Sequence, residues 1–205
     1  MTDALRADPA DEVLIERIAS GDGAAFTTLF RRRQADIYRV ALMMTGSPAA
    51  AEDVTQEVFL VVMREAARYD PGRATVRAWL CGIGRNQARR RLDQDGRIEP
   101  LPDDCERKLP HAVVTTDPAA DLDRAAQMRA LRDGILRLPL RYREVVVMCD
   151  LEELSYADAA SALECAVGTV RSRLHRARAL LAAKMQAHRA GRDGGAARRV
   201  ARCLA

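Results

Sequence analysis

Leu154-Ser155-Tyr156-Ala157-Asp158-Ala159-Ala160, followed after six residues by Val167-Gly168-Thr169-Val170-Arg171-Ser172-Arg173-Leu174-His175-Arg176-Ala177-Arg178, decides how this chain folds. Ser155 stands where a helix cap is wanted, and Asp158, three residues on, makes a capping-box-like pair with it. A short helix is expected over 156–163, with Glu164-Cys165-Ala166 as the turn. In the helix that follows, Val170, Leu174, Ala177 and Leu181 recur at steps of four, three and four, which lays them on one buried stripe. A helix-turn-helix needs a small residue where its helices cross, here Ala160. Ten residues later it needs a branched apolar residue to lock the second helix, here Val170. With that stripe inward, Arg171, Ser172, His175, Arg176 and Arg178 face out. Arginine can pair with guanine bidentately, serine can reach a base or a phosphate, and the remaining side chains can hold the DNA backbone. The turn position that favours glycine is Glu164; a left-handed backbone there costs about 1 kcal/mol. The alternative is an amphipathic hairpin with a solvated arginine face. The capping, crossing and locking residues, all in one register, argue against it.

Upstream, the pattern stays helical. Asp11 is placed to cap a helix over 12–20 that Gly21 stops. A long helix is expected over 24–44, where Phe26, Leu29, Phe30, Ile37, Tyr38, Ala41 and Leu42 recur at helical steps, ended by Gly46. Ser47-Pro48 opens a third helix reaching about 69, with Val54, Val58, Val61, Val62 and Ala66 inward and Glu52, Asp53, Gln56 and Glu57 on its polar side. Asp70-Pro71-Gly72 reads as a turn. A fourth helix over 75–92 directs Val76, Trp79, Leu80 and Ile83 inward and Arg85, Arg89, Arg90 and Arg91 outward. Residues 95–118 hold Pro100, Pro102, Pro110 and Pro118 without periodicity, a linker composition. Beyond it, Leu131, Ile135 and Leu138 form one helix face, which Pro139 breaks, and Tyr142, Val145, Val146, Met148 and Leu151 form another. Val145-Val146-Val147 alone has strand character, but helical residues flank it.

Charge is segregated along the 205 residues. From Arg68 to Arg91 there are seven arginines and one acid, Asp70; from Asp93 to Asp123 there are nine acids and three bases; from Val167 onward Asp193 is the single acid in a basic stretch. Two anion-binding surfaces joined by an acidic tether would look like this. With 48% hydrophobic, 30% charged and only 4% aromatic residues, a core can form and helices are favoured over strands. No apolar run approaches the roughly 20 residues that span a bilayer, and the start of the chain lacks a hydrophobic signal region, so a cytoplasmic protein without membrane insertion is expected. The five cysteines form no C-x-x-C pair and there are three histidines, so no metal site is expected. Cys149 and Cys165 are expected to be small buried residues and Cys203 an exposed thiol. Paired carboxylates beside a histidine and a glycine-rich phosphate loop are missing too, which argues against an enzyme, a cofactor or a small-molecule substrate.

The expected fold is therefore all-α: two small helical domains joined by a flexible acidic linker. The boundaries are a disordered N-terminus over 1–10, a first domain over 11–94, the linker over 95–120, a second domain with the helix-turn-helix over 121–186, and a disordered basic tail over 187–205.

The residues of the opening stretch resemble region 4 of the extracytoplasmic-function sigma factors, RNA polymerase specificity subunits of the sigma-70 family. Ala51-Glu52-Asp53-Val54-Thr55-Gln56-Glu57-Val58-Phe59-Leu60 is similar to the region 2 segment that grips the polymerase. Arg77-Ala78-Trp79-Leu80 with Ile83-Gly84-Arg85-Asn86-Gln87-Ala88-Arg89 is similar to the segment that melts and reads the −10 element. The resemblance covers residues 11–93 and 125–185. Where the family usually has an aromatic, this chain has Val76, and where the turn usually reads Gly then Pro it has Glu164 and Ala166.

The resemblance implies core RNA polymerase and promoter DNA as partners, an anti-sigma factor as regulator, and no enzymatic activity. It assigns Asp53, Gln56 and Glu57 to the clamp helix of the largest polymerase subunit. It assigns the loop Tyr69, Asp70 and Arg73 with Asn86 to a pocket for a flipped base of the −10 strand, Arg85, Arg89 and Arg90 to strand phosphates, and Trp79 to the edge of the melted duplex. It gives Thr169, Arg171, Ser172, His175, Arg176 and Arg178 to the −35 element.

Overall fold

The computed structural model describes residues 9–96 and 121–203, with side chains described over 9–96 and 127–186. The linker from 97 and the N-terminal segment to residue 8 lie outside the described residues. Among the described residues eight α-helices occur in order: α1 (Asp11–Ala19), α2 (Gly23–Thr45), α3 (Pro48–Glu65), α4 (Val76–Gln94), α5 (Asp121–Leu136), α6 (Leu140–Val146), α7 (Tyr156–Ala162) and α8 (Val167–Cys203). No strand occurs among the described residues. The three valines 145–147 with strand character end α6 and enter a wide π turn, Val147–Leu151.

Local chemistry sets most helix ends. The Asp22 carboxylate accepts from the Ala24 and Ala25 amides at 2.9 and 3.1 Å and starts α2. The Ala25 amide first, then Arg17 and the Ala24 amide, hold its carboxyl below the ordinary value. Gly46, at φ +74°, closes α2 with its amide on the Leu42 carbonyl at 2.8 Å. Ser47 caps α3 with Pro48 at the first position, as expected, but α3 stops at Glu65 and a 3₁₀ turn, Ala66–Arg68, completes the run.

Three sequence expectations give way to packing. Asp11 does not cap α1; Ala10 stands there without a side-chain bond. The Asp11 carboxylate is instead buried between Arg32 and Arg33 of α2, with Arg33 Nε donating at 2.6 Å. Phe59 rather than Val61 fills the core from α3, its ring meeting Phe30 and Phe26 with centroids 4.8 and 6.2 Å apart. In α4 the buried set is Val76, Ala78, Leu80, Cys81, Gly82, Gly84, Ala88 and Leu92, while Trp79 and Ile83 are half-buried. Small residues sit inward there because α4 crosses α2 and α3 closely; a Cβ at Gly84 would touch Val58 and Ile37 at 3.6 and 3.7 Å.

Among the described cysteines Cys81 is the fully buried one, and its burial pushes the thiol up to about 12. Cys149 and Cys165, expected in the core, are half-buried. In the C-terminal half Val145, Val146, Val147 and Met148 are all buried, because the π turn brings consecutive residues onto the core, and Leu151 is left exposed. Past Leu181, α8 continues to Cys203 through the residues read as a tail.

The two halves share one hydrophobic cluster. α7 lies on α4 at Gly82, where an added Cβ would come 3.3 Å from the Cα and carbonyl oxygen of Ala162. The Gly46 turn at the end of α2 receives the Leu136 side chain of α5. Arg143 of α6 donates to the carbonyls of Met44, Leu136 and Leu138, which ties the end of α2 to the α5–α6 corner.

Candidate nucleic-acid interface

The helix-turn-helix is α7 and α8. Ser155 Oγ accepts from the Asp158 amide at 3.0 Å and donates to the Asp158 carboxylate at 2.7 Å, so the pair closes through the hydroxyl. Glu164 takes φ +53°, the left-handed turn the spacing required, and the Cys165 amide bonds the Ala160 carbonyl at 3.0 Å. Val170, Leu174 and Ala177 are essentially without exposure and anchor α8.

With that face fixed, Arg171, Ser172, His175 and Arg178 are exposed and Thr169 and Arg176 half-buried, all of them on the first turns of α8. Their settings differ. The Arg171 guanidinium lies over the Tyr156 ring, 5.8 Å from its centroid. Ser172 Oγ donates back to the Thr169 carbonyl at 3.1 Å. Arg178 is paired bidentately with Asp150 at 3.1 and 2.5 Å, a bond that raises its pKa.

A second candidate surface lies between the halves. Asp70 Oδ1 accepts from the Gly72 amide at 2.8 Å and its carbonyl from the Arg73 amide at 3.1 Å, which fixes the turn after α3. Tyr69 Oη donates to the Ala74 carbonyl at 2.9 Å, and its ring stands 5.4 Å from that of Trp79, tilted by 50°. These groups, with Arg73 and Asn86, line a cavity of about 760 Å³. Its floor is Gly82 and Ile83, and its far wall is the helix-turn-helix turn, including Ser161, Glu164 and Cys165. Asn86 Oδ1 accepts from Arg85 Nη1 at 2.8 Å, leaving its amide nitrogen as a donor toward a ligand. Two neighbouring aromatic rings, an amide and arginines around an open cavity suit a nucleobase and its backbone.

The arginines expected to hold phosphates divide. Arg85, read from the sequence as facing outward, is only 11% exposed; its Nε donates to Glu144 at 2.7 Å, and Arg89 approaches the same oxygen at 3.5 Å. Arg90 is exposed but lines a groove of about 430 Å³ with Asp53, Gln56 and Glu57, away from the aromatic cavity. Asp53 also meets Arg91 at 3.4 Å. The acidic edge of α3 and the basic end of α4 thus form one mixed groove.

Sequence reading missed Glu144 and Glu152. Both are buried at 1% exposure, Glu144 on Arg85 and Arg89, Glu152 on Arg39 and Arg77. Nothing local marks them, since their partners lie 55 to 113 residues away in the chain. Among the described residues no helix is long and apolar enough to cross a membrane, and no cluster of metal-ligating side chains occurs.

Residues 29–98 match the family described as sigma-70 region 2, and residues 128–181 match sigma-70, region 4. The chain is 36% identical over 189 residues to the ECF RNA polymerase sigma factor SigE of Mycolicibacterium smegmatis, covering 86% of this chain and 70% of that protein. It is 33% identical over 184 residues to the ECF RNA polymerase sigma-E factor of Haemophilus influenzae, covering 86% of this chain and 95% of the relative. Among solved structures it is similar to CnrH in complex with the cytosolic domain of CnrY, with TM-score 0.65, 26% identity, and 87% of this chain and 99% of that one covered. The fold is also that of the sigma factor RpoE of Bartonella quintana, TM-score 0.60 over 78% of this chain and 96% of the other, at 22% identity. The chain belongs to the extracytoplasmic-function subfamily of the sigma-70 family, whose members are transcription-initiation factors and not enzymes.

Proposed function

We propose that this chain binds core RNA polymerase, brings it to promoters by reading a −35 element with α8 and a −10 element with the Tyr69–Trp79–Asn86 cavity, and favours strand opening there. One observation carries the reading. A single chain presents both an exposed helix-turn-helix face and, where its two halves meet, a cavity with aromatic walls and arginines around it. A duplex-binding regulator has no use for the second.

The roles divide by chemistry. Arg171 and Arg176 include a base reader, because a bidentate arginine–guanine pair distinguishes bases by about 1–3 kcal/mol. Thr169, Ser172, His175 and Arg178 hold the backbone or support the helix end. In the cavity, Asn86 reads a flipped base, Tyr69 and Trp79 stack against it, and Asp70 and Arg73 shape the loop. Arg85 and Arg89 take strand phosphates. Asp53, Gln56 and Glu57 meet a basic helix of the polymerase, and Arg90 lines the same groove. CnrH was solved with the cytosolic domain of CnrY, and the Bartonella quintana factor with the anti-sigma factor NepR. We extend that form of control, by a protein inhibitor, to this chain.

The test is reconstitution. The purified chain added to core polymerase starts transcription from a cognate promoter without ATP hydrolysis. If no stable complex with core polymerase forms at low salt, the chain acts as a DNA-binding regulator and the proposal fails.

A further inference from the structure

The cavity between α4 and the turn before α8 has two walls of different chemistry. Trp79 and Asn86 line it on the α4 side, with Tyr69 and Arg73 from the preceding loop. On the far side stand Ser161, Glu164 and Cys165. The walls meet at Gly82, where an added Cβ would come 3.3 Å from the Ala162 Cα and carbonyl oxygen. A volume of about 760 Å³ falls among small-molecule pockets, which run from roughly 300 to 1,000 Å³.

Four polar groups of this lining have no hydrogen-bond or ion-pair partner among the described residues. They are the Arg73 guanidinium, the Trp79 indole N–H, the Asn86 amide nitrogen and the Glu164 carboxylate. The Asn86 oxygen is already taken, since it accepts from Arg85 Nη1 at 2.8 Å. The α4 wall therefore offers donors, and the far wall offers an anionic acceptor. The Tyr69 and Trp79 rings are 5.4 Å apart and tilted by 50°, so they contact each other, and a planar ligand lies over them rather than between them.

A melted strand accounts for one wall only. Its bases suit the rings and the donors, and its phosphates suit Arg73. The Glu164 carboxylate gives nothing to a sugar-phosphate backbone, because both are anionic. An occupant that uses both walls is a planar base with acceptors along one edge and two neighbouring N–H donors along another. Guanine has this pattern. Its O6 and N7 accept, while N1 and the exocyclic N2 donate side by side, as a two-point contact to a carboxylate requires. In adenine and cytosine the exocyclic amine stands next to an accepting ring nitrogen, which repels a carboxylate. In uracil a single N–H stands between two carbonyls.

We propose that this cavity binds a free guanine nucleotide. The base lies over Tyr69 and Trp79, O6 and N7 accept from Asn86 and the indole N–H, N1 and N2 donate to Glu164, and the phosphate meets Arg73. The inference rests on reading the Tyr69–Trp79–Asn86 cavity as a base pocket and adds its second wall. A free nucleotide and a single strand use the same rings and the same amide, so each excludes the other.

Trp79 is the single tryptophan of the chain, so its fluorescence reports on the cavity. Guanosine 5′-monophosphate is titrated into the full chain beside the adenosine, cytidine and uridine monophosphates and inorganic phosphate, with calorimetry as a second measure of binding. A single-stranded oligonucleotide of mixed sequence is titrated in parallel. The guanosine nucleotide is expected to quench Trp79 and to bind more tightly than the other three. Glu164→Gln, at an exposed position, is expected to weaken that binding by about tenfold, the effect of losing a hydrogen bond to a charged group, and to leave strand binding at wild type. Circular dichroism establishes that the variant keeps its helix content. Asn86→Ala is expected to weaken both ligands. Equal binding of the four nucleotides, an equal response to phosphate alone, or guanosine binding undiminished in Glu164→Gln would overturn the inference. Quenching by the strand without nucleotide binding at millimolar concentration would overturn it as well, and leave the base-pocket reading standing. No response to either ligand would remove both.

Discussion

The guanidinium of Arg171 rests on the ring of Tyr156, 5.8 Å from its centroid, so the first exposed arginine of the recognition helix is oriented by the helix that precedes it. Arg171→Ala is expected to relax selectivity at one position of the −35 element by about 1–3 kcal/mol. Tyr156→Phe keeps the ring face and is expected to leave selectivity at wild type. Affinities for a set of single-base promoter variants, measured at two salt concentrations, check both. A uniform loss across all variants would move Arg171 to the backbone contacts.

Arg178 is a different case, because Asp150 already holds it at 2.5 Å. A paired arginine gives little to a phosphate until its partner is removed. Asp150→Asn is expected to strengthen duplex binding for all sequences alike and to steepen the salt dependence by about one unit of slope. Arg178→Ala is expected to weaken binding uniformly. Salt titrations of duplex affinity separate these outcomes from any change in base preference.

Gln56 and Glu57 are exposed on α3 and line the groove with Arg90 and Arg91. Replacing both by lysine is expected to weaken association with core polymerase while changing stability by under about 0.5 kcal/mol. A competition assay against a second sigma factor, alongside thermal unfolding, checks the pair. Polymerase affinity equal to wild type would remove this face from the assignment.

Glu164 holds φ +53° in the turn of the helix-turn-helix, a conformation that costs a residue with a Cβ about 1 kcal/mol relative to glycine. Glu164→Gly relieves that cost, and the added freedom of the unfolded chain offsets part of the gain. The expected result is a stabilisation of about 0.5 kcal/mol, read from the midpoint of denaturant unfolding.

Burial pushes the Cys81 thiol up to about 12 and that of Cys149 to about 11. An ordinary cysteine has a substantial thiolate fraction near pH 8.5, whereas these two remain protonated there. Cys81 is expected to resist iodoacetamide at that pH until the chain unfolds, and Cys149 to react slowly. Peptide mapping by mass spectrometry, with and without denaturant, measures both.

Sequence alone determined the parts of this protein that depend on near neighbours. Caps at Ser47 and Ser155, the glycine end at Gly46, the stripe Val170-Leu174-Ala177 and the left-handed turn at Glu164 all rest on side chains within four residues of the backbone they govern. Those features were enough to define α7–α8 as a helix-turn-helix and to present its outer face. Tertiary structure decided everything that needed a distant partner. Asp11 has the chemistry of a cap, but two arginines of α2 bury it as an ion-paired anchor. Arg85 has the period of an outward residue, yet Glu144, 59 positions away, draws it into the contact between the halves. Helical period reports which side of a helix a residue occupies, and only packing reports what covers that side. Because α7 crosses α4 at Gly82, a face that would have met solvent meets the other half of the chain instead.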